Sequence, residues 1–119
     1  MATQDKLVKL GMWPEVAKAL AGDFATGLTA TGSTQATAYP LTTDTNAFST
    51  VAASTGAQLR AIPGRQIILN AGANALSVYP PLGGNINALA ANAAFSQTAG
   101  KAAEYFSADG VFFIALMGA

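Results

Sequence analysis

The chain has no cysteine and no histidine. Without thiolates or imidazoles it lacks both the usual zinc ligands and a thiol nucleophile, so zinc and thiol chemistry are excluded. Charge is nearly as scarce. Six basic and six acidic side chains make up 10% of 119 residues and cancel, against about 25% charged residues in an ordinary soluble domain. No basic patch can be built from so few cations, and nucleic acid is therefore not expected as a direct partner. Long apolar runs are missing too. The longest, Val111 to Met117, has seven residues, where a membrane-spanning helix needs about 20. Leu7 to Met12 is broken by Lys9 and Gly11 and does not form a secretory signal.

Catalytic and ligand-binding patterns are equally sparse. Pro81 to Gly84 (PLGG) has glycines but no Lys-Ser or Lys-Thr behind them, so no phosphate-cradling loop is expected. Every asparagine lacks the Ser or Thr two residues later that glycosylation requires. Asp44, Glu104 and Asp109 are far apart in sequence and read as solvated turn or strand positions rather than as a carboxylate pair. Lys101 and Glu104 read as a surface or interface pair. No enzymatic activity, cofactor, metal or small-molecule substrate is expected.

Small neutral residues fill the space that charge leaves: 27 Ala and 12 Thr. A chain of this size buries roughly 65% of its unfolded surface, enough for one domain with a modest core. Half of all charges fall in the first 23 residues, where the chain changes character. Residues 1–23 form an N-terminal arm, and Pro14 to Ala21 reads as a short helix, with proline at the first helical position, Glu15 in the first turn and Gly22 beyond the end. Eight residues do not hold a helix in isolation, so the arm must dock on something. Trp13, next to Leu7 and Leu10, has the character of an anchor in an apolar pocket.

Residues 24–119 form a β-rich domain. Short β-branched and aromatic runs separated by Gly, Pro, Asn and Asp place strands near Gly27–Thr31, Ala36–Thr42, Ala47–Ala52, Gln58–Ile62, Arg65–Asn70, Ala75–Tyr79, Phe95–Gln97, Ala102–Ser107 and Val111–Met117. Pro63-Gly64 suits a type II turn, Ala71 to Asn74 closes the next hairpin and Asp109-Gly110 the last. Consecutive hairpins predict an all-β fold, a compact antiparallel sandwich or barrel of meander or jelly-roll type. The alanine-rich stretch Asn85 to Ala94, broken by asparagines, reads as loop. No internal repeat of solenoid length is visible.

Val111 to Met117 (VFFIALM) carries large side chains on both faces of its strand, as does Ile67 to Leu69. Strands of this kind are covered on both sides. A domain of this size has little material for that, and an uncovered VFFIALM strand without a gatekeeping charge invites aggregation. A permanently assembled protein is expected, with Val111, Phe112, Phe113 and Tyr79 at the contact between copies.

One run is distinctive in itself. NAGANALSVYPPLGGNIN at Asn70–Asn87, preceded by LTATGSTQATAYPLTTDTNAFSTVAASTGAQL and followed by GKAAEYFSADGVFF, resembles the head fibre or head decoration proteins of tailed phages. The likeness covers about Gly27 to Phe113 and leaves the arm outside. It departs from the family pattern at Arg60, where proline is usual. The resemblance implies a non-enzymatic β-rich virion protein on the exterior of the phage head, a capsid cement or fibre base, assembled as a homotrimer on the major capsid protein. The arm residues Lys6, Leu7, Lys9, Leu10 and Trp13 are then the expected contacts with the shell or a neighbouring subunit. Two other readings remain at this point: a phage tail or connector component, and a carbohydrate-binding module using Tyr39, Tyr79 and Tyr105.

Overall fold

The structure is a computed structural model, and it describes residues 24–118. Lys6, Leu7, Lys9, Leu10, Trp13 and the helix expected over Pro14 to Ala21 lie outside the described residues. Ten strands follow in order: β1 (Phe24–Thr29), β2 (Tyr39–Pro40), β3 (Thr45–Thr50), β4 (Gly56–Gln58), β5 (Gly64–Asn70), β6 (Leu76–Tyr79), β7 (Asn85–Ile86), β8 (Phe95–Gln97), β9 (Ala102–Ser107) and β10 (Phe112–Met117). No helix occurs among the described residues, and the all-β expectation holds. Nine of the strands overlap the expected ones. The tenth, β7, lies in the stretch that reads as loop.

The pairing corrects the expected meander. Strands β1, β3 and β5 run parallel in one sheet, and β2, β4 and β6 run parallel in the other. A parallel neighbour cannot be reached by a tight hairpin, so the chain must cross over between them. Here each crossover contributes a strand to the opposite sheet. The result is a short solenoid-like winding, although no repeat of that length is visible in the sequence. Phe24 lies beside Thr45 and Thr45 beside Ile67, a turn of 21 or 22 residues. In the second sheet Tyr39, Ala57 and Val78 stack at intervals of 18 and 21. Pro63-Gly64 and Ala71 to Asn74 therefore turn corners between sheets and close no hairpin.

Antiparallel strands finish the fold. β9 pairs with β5 and β10 with β9, while β8 pairs with β6. The β9–β10 connection at Asp109-Gly110 is the one expected hairpin that forms. The six-stranded sheet has the order β1-β3-β5-β9-β10-β7, the four-stranded sheet β2-β4-β6-β8. Their inner faces share one core built around Phe48, Ile68, Leu76, Val78, Ile86, Tyr105 and Phe113. Two edge-to-face aromatic pairs cross it: Tyr39 on Phe48 with ring centres 5.6 Å apart, and Phe95 on Tyr105 at 6.0 Å. Each joins a residue of the smaller sheet to one of the larger.

Corners of the winding leave backbone groups without ladder partners, and such groups cannot be buried unpaired. Buried amide side chains supply the partners. Asn46 Nδ2 donates to the carbonyls of Thr43 and Ile67 at 3.1 and 3.2 Å. Asn70 Nδ2 donates to Asn74 O and Gln97 O, and Asn70 Oδ1 accepts from Gly72 N. Gln97 Nε2 reaches Ile68 O and Lys101 O, while its Oε1 accepts the Tyr105 hydroxyl at 2.7 Å. Gln66 clamps Arg60 from both sides, accepting from its N–H at 2.8 Å and donating to its carbonyl at 3.0 Å. Proline at position 60 would have no N–H to give, so this corner depends on a residue other than proline there.

Candidate interaction surface

Strand geometry decides which side chains leave the core. Successive residues of a strand point to opposite faces, and register carries each row across the sheet. On β10, Phe113 points inward and is 0% exposed, whereas Phe112, Ile114 and Leu116 point outward and are 42%, 41% and 59% exposed. Ile114 lies beside Phe106, which lies beside Arg65. In the next row, Leu116 neighbours Glu104, then Ile67, Thr45 and finally Phe24 at the far edge. The outer face of the larger sheet is thus apolar along β10 and in much of β9 and β5. A shallow groove of about 670 Å³ runs between Arg65, Phe106, Phe112 and Ile114.

Two charges interrupt this face. Arg65 Nη1 and Glu104 Oε2 are 3.5 Å apart, both well exposed. A pair of that kind contributes little to the stability of the fold. The second described ion pair, Arg60 with Asp44 at 2.6 Å, braces a corner of the winding.

The tip of the hairpin that displays Phe106 and Phe112 is held by a carboxylate. Asp109 Oδ1 accepts the N–H groups of Val111 at 2.9 Å and Phe112 at 3.1 Å and the hydroxyl of Ser107 at 3.3 Å. These donors favour the ionised form and hold the carboxyl below its ordinary range, the Val111 and Phe112 amides contributing most. The aspartate that suits the turn in the sequence also fixes the direction in which β10 starts.

The sheet edges are treated differently from this face. An open edge strand presents unpaired backbone groups to any passing chain unless it is blunted. β1 is interrupted by Gly27, whose φ of 66° only glycine adopts readily, and its register with β3 shifts on both sides of Leu28. β2 ends on Pro40, β7 has two residues and β8 three. These four strands are short, kinked or proline-bearing, whereas β10 has no strand on its outer side beyond Phe113, where Asn87 Oδ1 meets the Ala115 N–H. Among the described residues nothing comparable protects the outer face.

The residues expected at a contact between copies separate into three groups. Val111 and Phe112 are exposed together at the start of β10. Phe113 is in the chain's own core and offers nothing to a partner, because the alternation that exposes Phe112 buries its neighbour. Tyr79 belongs to the other sheet. It is half-buried, and its hydroxyl donates to Ser33 O at 3.1 Å, tethering a loop of the same chain. Phe106, Ile114 and Leu116 complete the outward patch and were signalled only by the two-faced apolar pattern of the final strands. Among the described residues the expected covering of β10 on both sides is met on one side.

The tyrosines that suggested carbohydrate binding do not form a platform. Tyr105 is fully buried and Tyr39 packs edge-on against Phe48. Among the described residues no three acidic side chains gather into a metal-binding group. Glu104 lies beside Arg65 rather than in a carboxylate pair. No protein-family model, curated protein or solved structure matches this chain.

Proposed function

We propose that this protein is a structural component of a tailed-phage virion, a non-enzymatic decoration or cement protein on the exterior of the head that stabilises the shell. In this reading it assembles as a homotrimer and binds the major capsid protein through Leu7, Leu10 and Trp13, with Lys6 and Lys9 beside them. It needs no cofactor, nucleic acid, membrane or small-molecule substrate. The β domain is a sandwich-like body that the arm, with its short helix, fastens to the shell.

The observation that carries the reading is the apolar outer face of the six-stranded sheet. Exposed apolar patches of this kind mark contacts with other proteins. The buried amides support it further: the polar side chains at the corners are spent on the fold, which leaves a rigid body suited to structural work. The likeness of Asn70–Asn87 to head decoration proteins supplies the particular partner.

The test is reconstitution. Shells lacking the protein are mixed with the purified chain, and particles are imaged by electron microscopy. Added density at regular positions outside the shell is expected, and a Leu7→Ala, Leu10→Ala, Trp13→Ala variant should lose it while keeping a folded β domain. Attachment by apolar burial should withstand 1 M salt, where the Debye length is about 3 Å. Bare shells at micromolar protein would refute the function, and loss of the protein in 1 M salt from intact shells would refute apolar attachment.

A further inference from the structure

We propose that residues 14–23 fold back over the outer face of the six-stranded sheet of their own chain, seating Val16, Ala17 and Leu20 on β1, β3 and β5 and carrying Leu7, Leu10 and Trp13 to β10. The docking stands apart from the functional reading. Its consequence, that arm and β10 meet the shell as one surface, rests on that reading.

Three observations make this segment the occupant. The first is where the described chain begins. Phe24 opens β1 at the rim of this face, and its side chain is exposed in the outward row that continues through Thr45, Ile67, Glu104 and Leu116. The preceding residues therefore start at the border of the apolar face. Gly22 and Asp23 join them to it, and glycine accepts the dihedral angles of a reversal. A tether this short gives an effective concentration on the order of millimolar and spares the contact the translational and rotational cost of bringing two molecules together.

The second is length. An eight-residue helix from Pro14 to Ala21 is about 12 Å long. Strands lie about 4.8 Å apart, so a helix turned back from β1 crosses β3 and β5 and ends near β9. Trp13, Leu10 and Leu7 then continue over β10, beside the exposed Phe112, Ile114 and Leu116. Arm and patch offer the shell a single apolar surface.

The third is the match between the two surfaces. Val16, Ala17 and Leu20 share one side of the helix, and Glu15 and Lys18 fall on the other. The floor beneath is low and largely apolar: Thr45 and Ala47 are small and half-buried, with Phe24 beside them on β1 and Ile67 and Leu69 on β5. Arg65 and Glu104 lie 3.5 Å from each other and require no charge from the helix. A helix this short does not hold by itself. The face supplies the support that the arm lacks, and the arm covers apolar surface that the β domain leaves open.

Hydrogen exchange of the dilute full-length chain tests this. The amides of residues 18–21 should exchange at least tenfold more slowly than in a peptide of residues 1–23. Leu69→Glu, at an exposed position of the face, should abolish that protection, while Leu82→Glu, at an exposed loop leucine away from it, should not. Protected amides in β3 and β5 check that both variants fold. The absence of native cysteine permits a second measurement. On mild oxidation, Ala17→Cys with Leu69→Cys should close a disulfide within one chain at least tenfold faster than Ala17→Cys with Ser96→Cys, which lies exposed on the smaller sheet. Wild-type amides that exchange as fast as those of the peptide overturn the proposal. So does protection indifferent to Leu69→Glu, or a disulfide that forms only between chains. Chains with an undocked arm that still decorate shells would sink this inference and leave the functional reading standing, whereas docked chains that leave shells bare would sink that reading and leave the docking.

Discussion

Phe112 and Phe113 are adjacent in sequence, identical in chemistry and opposite in fate. One stands on the outer face of the six-stranded sheet, 42% exposed, and the other is sealed in the core. The same division runs through β9, where Phe106 faces outward and Tyr105 inward, and through β5, where Leu69 and Ile68 divide likewise. Hydrophobicity alone does not identify the core of this protein. A side chain counts toward the stability of the single chain when it lies between the two sheets, and toward association when it lies on the other side. The comparison is sharpest at β10, because its outer side chains are nearly as apolar as its inner ones.

The largest effect should come from the inner face. Phe113→Ala removes a fully buried aromatic ring and should cost about 3–5 kcal/mol, read as a lower urea midpoint. A loss under about 1 kcal/mol would show that the inner face collapses around the gap and would weaken the contrast with Phe112.

Next is the buried hydroxyl of Tyr105. Burial holds its phenol far above the ordinary range, so the folded protein keeps it neutral while the unfolded chain ionises near pH 10. The raised value contributes stability that is fully present below about pH 10 and falls as pH rises further, by up to about 1.4 kcal/mol per pH unit. Tyr105→Phe should lose part of this alkaline sensitivity. At neutral pH it should cost about 1–3 kcal/mol, because Gln97 Oε1 is left without its donor. Chemical denaturation at pH 8 and pH 11 measures both effects, and equal pH dependence in variant and wild type would remove Tyr105 as the cause.

A smaller effect belongs to Asp109 at the hairpin tip. Its lowered carboxyl contributes stability above the ordinary carboxylate range and loses it as pH falls through the depressed value. Asp109→Asn should flatten the acid limb of a stability profile below about pH 4 and blur the start of β10. Hydrogen exchange of the Val111 and Phe112 amides reports this directly. Unchanged protection in the variant would show that the ladder alone holds the hairpin.

The smallest effect on the fold should come from the outer face. Phe112→Ala should change single-chain stability by less than about 0.5 kcal/mol, as surface substitutions usually do, while lowering the assembled fraction at the same concentration. A large loss of stability in the dilute single chain would mean that the outer face supports the fold itself, and the division drawn at β10 would fail.

Much of this was legible because strands and turns are local. The β-branched and aromatic runs located nine of the ten strands, and Asp109-Gly110 located the one hairpin that closes, since an aspartate-glycine pair fits a tight reversal whatever surrounds it. β7 escaped because its two residues have no pattern of their own. They are held by pairing with Phe112 and Phe113, more than 25 positions away. The outer patch was half legible: the apolar residues on both faces of Val111 to Met117 announced that something must cover β10. Which of its phenylalanines faced out depended on register with β9.

Sequence alone determined that the chain is all-β beyond residue 23, where its strands lie, and that its chemistry is poor in charge and free of thiols and imidazoles. Tertiary structure decided the partners of each strand. Pro63-Gly64 and Ala71 to Asn74 turn the chain equally well into a hairpin or around a corner, because turn chemistry fixes a few dihedral angles and not the next neighbour. The winding rests on contacts 20 or more residues apart, among them the side-chain bonds of Asn46 to Ile67 O, Asn70 to Gln97 O and Gln97 to Ile68 O, 21, 27 and 29 residues apart. Side-chain amides have no period and no propensity signal that would reveal such a role, and only the assembled core shows which backbone groups they were needed to satisfy.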